Sequence, residues 1–134
     1  MNETIDDTVT VTLTATVLDR TCHDVLTTAL EGGIGYWSRA TRIDRDDDLN
    51  VTSATIIDVE RGVDVDGVID YTYELTPAVV RKGLAWVLTS GQVHNRYHVA
   101  AVRDLIFDPD NADHDADTAD MIVQAGLFDR LVYG

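Results

Sequence analysis

The chain has 134 residues, and its 24 acidic residues outnumber its 10 Lys and Arg residues to give a formal net charge of −14. This length indicates a single domain over residues 1–134, and a hydrophobic content of 45% argues against global disorder. No apolar run approaches the roughly 18 residues of a membrane span, the first residues lack the pattern of a secretory signal, and a single cysteine excludes an intrachain disulfide.

The first predicted elements are a strand and a helix. Residues 9–17 alternate strictly between apolar residues and Thr, which predicts a half-buried strand. An amphipathic helix should follow, with Thr21 as its N-cap and Gly32-Gly33 as its left-handed exit. Cys22 lies on the apolar stripe of this helix, so we interpret it as a core residue and not as a nucleophile.

Three further strands are predicted in the middle of the chain. Residues 34–43 form the second strand, which ends in an acidic loop over residues 44–48. Residues 51–60 form the third strand, and the alternation of residues 69–75 predicts a fourth. An Asp66-Gly67 pair between the last two strands indicates a hairpin turn.

The last part of the chain is predicted to be helical. Thr76-Pro77 is typical of a helix start, and Gly91 should end that helix. Further helices are expected over residues 95–107 and 117–128, and the apolar tail, residues 131–134, should pack against the body of the protein.

The predicted order is therefore β-α-β-β-β-α-α-α. Three successive strands joined by short loops favour an antiparallel sheet. We predict an α+β fold in which a sheet of about four strands is covered on one face by about four helices.

The charge has an unusual composition and an uneven distribution. Twenty of the acids are Asp, and Lys82 is the only lysine. Residues 75–103 contain four basic residues and no acid, whereas residues 104–120 contain seven Asp and no base. The acid excess argues against binding to nucleic acid, which needs a basic face. Both a salt-rich cytoplasm and a GC-rich genome are compatible with this composition.

The residues that could carry chemistry form no recognisable catalytic set. His94 and His98 are spaced as two metal ligands on one helix face would be, but the chain has no HExxH motif, and Arg96 between them opposes a cation. The glycines at positions 32–35 follow a helix and precede a strand, the reverse of a phosphate-binding loop. We expect no catalytic residue, no metal and no cofactor.

One binding hypothesis uses the basic stretch. Its cations and His98 would bind an anionic group, while an aromatic side chain stacks on a base. The candidate ligand-binding residues are Tyr36, Trp37, Arg81, Arg96 and His98.

Three parts of the chain carry a resemblance. Residues 29–37 contain the pattern Gly-Gly-x-x-Tyr-Trp, residues 119–128 read ADMIVQAGLF, and residues 131–134 end in Val-Tyr-Gly. In these motifs and their order, the chain resembles small acidic proteins of tailed viruses and prophages of GC-rich hosts, chiefly actinobacteria, with haloarchaea left open. The resemblance implies a viral or prophage setting and carries over no catalytic residue.

Three functions follow as hypotheses. The first is a non-enzymatic accessory protein of a virus or prophage, which binds a host or viral protein in the host cytoplasm through an acidic surface and so counters a defence system. The second is a binding protein for a nucleotide-like anion, and the third is a virion or assembly component that self-associates. The candidate acidic surface consists of Asp46, Asp47, Asp48, Asp113, Asp115 and Asp117.

Overall fold

The middle of the chain forms an antiparallel sheet, whose central strand is rich in the β-branched residues Val, Ile and Thr. A computed structural model describes residues 7–61 and 71–134 of the chain. Within these ranges the sheet has three strands in the order β1-β2-β3. Both pairs are antiparallel, with Ala54 of the central strand opposite Ile43 on one side and Leu75 on the other. The strands are β1, Ser38–Arg45; β2, Val51–Asp58; and β3, Thr72–Leu75.

Within the same described ranges four helices accompany the sheet, so the predicted α+β class is confirmed. The last three begin at residues whose side chains accept a hydrogen bond from the first turn, namely Thr76, Asn95 and Asp115. A π-helical turn over Ala29–Gly33 extends the first helix. The helices are α1, Asp19–Thr28; α2, Pro77–Thr89; α3, Arg96–Phe107; and α4, Ala116–Phe128.

The core brings all the helices together with the central strand. Leu26 of α1, Ile56 of β2, Leu84 of α2 and Ile122 of α4 are each at most 1% exposed and belong to one hydrophobic cluster. Cys22 is completely buried in the same cluster, as the sequence predicts. The close approach of α2 to α4 depends on glycines, because a Cβ at Gly83 would overlap the carbonyl oxygen of Ile122.

The predicted first strand is not confirmed. Residues 9–17 pair with no strand of the described chain and are mostly exposed to solvent. The segment is held at its end by Arg81, whose Nε and Nη2 donate to the carbonyl oxygen of Val17 at 3.1 and 2.7 Å. Residues 9–15 are exposed on both sides of the alternation and have no partner edge in the described chain, so no half-buried strand forms there and the described order becomes α-β-β-β-α-α-α.

The ends of α1 also differ from the prediction. The helix begins at Asp19, and the N–H of Thr21 bonds to the carbonyl oxygen of Leu18, so Thr21 lies inside the helix and does not cap it. Gly32 and Gly33 continue as a π-helical turn and do not take the left-handed conformation. A glycine does take this conformation at Gly91, with φ +70°, just after α2.

The strand boundaries shift by a few residues. β1 begins only at Ser38, because the backbone N–H groups of Trp37 and Ser38 both bond to the carbonyl oxygen of Ile34 and form a turn. The predicted Asp66-Gly67 turn and residues 69–70 of the predicted fourth strand lie outside the described residues. Among the residues that are described, no helix has the length and apolar character to cross a membrane.

Candidate functional site

The most elaborate polar arrangement in the described chain centres on Asp120. This residue lies one turn into α4 and is only 9% exposed. Its carboxylate accepts hydrogen bonds from the Tyr36 hydroxyl at 2.5 Å and from Trp37 Nε1 at 2.9 Å. A third donor is Nε2 of Gln124, one turn further along the same helix, at 2.8 Å. One buried carboxylate therefore fixes the turn before β1 against α4.

Gln124 extends this arrangement to the end of the chain. Its side chain is 1% exposed, and its Oε1 accepts the backbone N–H groups of Val132 and Tyr133, each at 2.8 Å. The Tyr133 ring stacks on Trp37 with ring centres 5.2 Å apart. The predicted packing of the apolar tail is therefore observed, although it depends on polar contacts as much as on apolar ones.

A second buried carboxylate anchors the other end of Tyr133. The Tyr133 hydroxyl donates to Asp58 Oδ2 at 2.5 Å, and Asp58 is 1% exposed. Asp58 Oδ1 accepts the backbone N–H groups of Glu60 and Arg61. Burial, followed by the bond to Asp58, raises the pKa of Tyr133. Likewise burial, followed by the bond to Asp120, raises the pKa of Tyr36. Both phenols remain protonated donors at neutral pH.

A cleft of about 480 Å³ lies beside this cluster. Tyr36 and His98, two of the predicted ligand-binding residues, both line it. Asp117 and Asp120 line the same cleft, so its charged lining is acidic and suits a hydrogen-bond donor better than an anion. Every buried side-chain polar atom of the described residues already has a partner.

The other three residues of the ligand hypothesis do not line this cleft. Trp37 is fully buried, so its ring faces have no free surface for stacking. Arg81 lines a separate groove of about 930 Å³ and already binds Val17 and Asp19. Arg96 is the first residue of α3 and is exposed. Of the five residues, Tyr36 and His98 line the cleft and Trp37 is buried beside it on Asp120, and anion binding stays a prediction.

Four of the six Asp residues of the candidate acidic surface lie in two segments, the turn between β1 and β2 and the segment between α3 and α4. Asp46, Asp47 and Asp48 lie in the turn between β1 and β2, which closes through a bond from the N–H of Asp46 to the carbonyl oxygen of Asn50. Asn50 lines a cleft of about 320 Å³ together with Asp24 and Asp113. The turn and the segment between α3 and α4 therefore adjoin each other.

The two remaining acids of the candidate surface are placed differently. Asp115 is the N-cap of α4, and its Oδ1 accepts the N–H of Thr118 at 2.8 Å. This bond holds the pKa of Asp115 below its usual value. Asp117 lines the cleft beside Tyr36.

His98 and His114 lie within hydrogen-bond distance of threonine hydroxyls, and Cys22 is buried. His94 precedes α3, so it does not share a helix face with His98. His98 Nδ1 lies 2.7 Å from Thr118 Oγ1, and His114 Nε2 lies 3.0 Å from Thr28 Oγ1. Burial raises the pKa of the Cys22 thiol. Across residues 7–61 and 71–134, no group of three or more His, Cys, Asp or Glu side chains is arranged to hold a metal ion.

The sequence analysis missed Asp120, Gln124 and Asp58 as the anchors of the polar cluster. A signal was present, because Asp120 and Gln124 are four residues apart on one helix face. Trp37 also carries an indole donor that needs a partner when it is buried. Comparison of the chain with protein families, with curated proteins and with solved structures finds no match.

Proposed function

We propose that this protein is a non-enzymatic protein-binding module that engages a basic partner through an acidic face. The acidic face consists of Asp24 and Asp113, which line the cleft of about 320 Å³, together with Asp46, Asp47 and Asp48 of the β1–β2 turn, which a backbone bond joins to Asn50 in the lining of that cleft. The observation that supports this proposal is that none of these five carboxylates pairs with a cation of the described chain.

The lack of internal partners matters because the neighbouring bases are already engaged. Arg20 pairs with Asp110 at 2.6 Å, and Arg45 donates to the carbonyl oxygen of Leu49 at 2.8 Å. Adjacent carboxylates without counter-charges repel one another, and a partner rich in Lys and Arg relieves that repulsion. The same field accelerates the encounter with a basic partner.

The setting of this interaction follows from the resemblance to viral and prophage proteins. On this basis the proposed partner is a host or viral protein and the proposed place of action is the host cytoplasm. The proposed role is interference with a defence system. The acidic character of the chain fits a partner whose own binding surface is basic.

The test compares capture of proteins from an actinobacterial lysate by two variants with equal net charge. The triple variant Asp46→Asn/Asp47→Asn/Asp48→Asn removes three charges from the acidic face. The asparagine at position 46 retains the oxygen that accepts the N–H groups of Asp48 and Asn50. The control, Glu31→Gln/Glu60→Gln/Asp104→Asn, removes three exposed charges from other parts of the surface.

We expect wild type and control to retain one basic protein that elevated salt releases, and the triple variant to bind it about tenfold more weakly or worse. Equal weakening by both variants would assign the binding to net charge alone. Undiminished binding by the triple variant would refute the acidic face as the binding site.

A further inference from the structure

We infer that residues 9–15 of one copy pair with strand β1 of a second copy, so that each three-stranded sheet gains a fourth strand from its partner. This inference concerns a different part of the chain from the acidic face and goes beyond the proposed function. The partner it identifies is a second copy of this chain.

The segment has the form of a strand without a sheet. Val9, Val11 and Leu13 lie on one side of the alternation and are 81%, 71% and 76% exposed, respectively. Large apolar side chains clustered in water are typical of a surface that another protein covers. The intervening Thr residues and the β-branched Val residues favour the extended conformation that pairing requires.

Strand β1 offers the matching edge. It has eight residues, and β2 is its only partner in the described parts of the chain. Ile43 is 39% exposed, and its opposite residue on β2, Ala54, is fully buried. A strand added outside β1 would therefore extend the apolar row of Ala54 and Ile43 with Val11 or Leu13. Its Thr residues would extend the polar row on the other face, which includes Arg42.

The anchor of the segment favours a second copy over the same chain. Arg81, a residue of α2, donates a hydrogen bond to the carbonyl oxygen of Val17. The helix α2 directly follows β3. β3 lies at the opposite edge of the sheet from β1. A second copy supplies its β1 without breaking this anchor, and the exchange can be reciprocal about a two-fold axis.

The charges of the two segments are complementary. Residues 1–19 contain acids, including Asp6 and Asp7, and no base. β1 contains three arginines and one acid. Arg39 pairs with no carboxylate within residues 7–61 and 71–134. On the second copy this arginine is therefore available to Asp7, the acid that comes just before the pairing segment.

The test measures self-association of the purified chain by sedimentation velocity across a wide concentration range. The buffer contains enough salt to screen the repulsion between two copies of net charge −14. In a paired strand, successive N–H groups point to opposite sides, so Val11→Pro/Thr12→Pro removes one donor on each side. The control Val11→Ile/Thr12→Ser keeps both donors and the alternation.

We expect a dimer for wild type and control, and a dissociation constant at least about tenfold higher for the proline variant. Hydrogen exchange should show concentration-dependent protection at residues 10–14 and along β1. Because the substituted positions are exposed, circular dichroism should show an intact fold in both variants. A monomer at every concentration, or a dimer that tolerates both prolines, would overturn the inference.

Discussion

Asp120 shows how one buried side chain can connect distant parts of this chain. Its two oxygens accept three side-chain donors, from Tyr36, Trp37 and Gln124. A buried carboxylate is costly unless hydrogen bonds replace its hydration, and here they do so. The same bonds satisfy an indole N–H that would otherwise be buried without an acceptor.

This arrangement predicts a specific order of stability at position 120. Asp120→Ala leaves the buried Trp37 N–H and a Gln124 N–H without their acceptor, and should lower the free energy of unfolding by about 3 kcal/mol. Asp120→Asn should lose less than half as much, because its oxygen still accepts from Trp37 and the Tyr36 hydroxyl can accept from its amide. Urea denaturation measures both variants.

The control for this series is the exposed neighbour Asp117. Asp117→Ala should change the free energy of unfolding by no more than about 0.5 kcal/mol. Equal costs for Asp120→Ala and Asp120→Asn would show that charge, and not the supply of acceptors, is what position 120 contributes.

The two anchored phenols predict a loss of stability at alkaline pH. Burial and the bonds to Asp120 and Asp58 raise the pKa values of Tyr36 and Tyr133 above that of an unfolded tyrosine, about 10. Above that pH the unfolded chain loses these protons and the folded chain keeps them, so stability falls as pH rises towards the folded pKa values. Tyr36→Phe/Tyr133→Phe should be less stable at neutral pH but show a shallower alkaline decline.

The measurement is the urea midpoint at a series of pH values from about 8 to about 11. A double variant that declines as steeply as wild type would show that other groups cause the alkaline loss.

At the scale of elements, the helix starts that could be predicted are those with local start signals. Thr76, Asn95 and Asp115 each bond to the N–H of a residue in the first turn, and α2, α3 and α4 begin within one residue of their predicted starts. α1 has no such side-chain cap, since Leu18 precedes it. Its start was misplaced because Thr21 offered a signal that the helix does not use.

The strand predicted over residues 9–17 illustrates a different limit. Alternation defines which faces a strand would have, but pairing depends on an edge far away in the sequence. Residues 71–75 have the same kind of alternation, and Thr72–Leu75 become β3 because β2 lies beside them. Local pattern alone therefore does not distinguish a paired strand from an unpaired one.

The close packing of α2 against α4 predicts that one methyl group added at a contact glycine strongly lowers the free energy of unfolding. A Cβ at Gly83 would overlap the carbonyl oxygen of Ile122, and a Cβ at Gly126 would overlap that of Val79. Because backbone atoms cannot move aside cheaply, Gly83→Ala and Gly126→Ala should each lower the free energy of unfolding by about 3 kcal/mol. Thermal and urea denaturation measure this effect.

Gly35 provides the matched control. A Cβ at this position meets no atom within 4 Å, so Gly35→Ala should change stability by no more than about 0.5 kcal/mol. Tolerance of alanine at both helix positions would contradict the close approach of α2 and α4.

At the scale of the whole molecule, the candidate site was harder to predict than the fold class. Tyr36 and Asp120 are 84 residues apart in sequence but joined by one hydrogen bond. Tyr133 and Asp58 are likewise separated by 75 residues. The sequence gives each of these residues a local role, such as a helix start or an apolar tail, and only the tertiary fold brings their polar atoms together.

The net charge predicts how the whole molecule responds to salt. Most described ion pairs join exposed side chains, such as Lys82 with Asp129, so screening them costs little stability. The unpaired carboxylates of the acidic face repel one another, and screening removes that cost. Raising KCl from about 0.1 M to about 1 M should therefore stabilise the fold by about 1 kcal/mol, or about 4 °C in Tm.

The contribution of the acidic face can be separated from that of net charge by calorimetry at both salt concentrations. Asp46→Asn/Asp47→Asn/Asp48→Asn should raise Tm in low salt and reduce the response to KCl. The control Glu31→Gln/Glu60→Gln/Asp104→Asn should change the response less, because its charges are distributed over the surface and do not adjoin one another. Equal responses in the two variants would mean that charge repulsion acts across the whole molecule. The acidic face would then have no local repulsion for a basic partner to relieve.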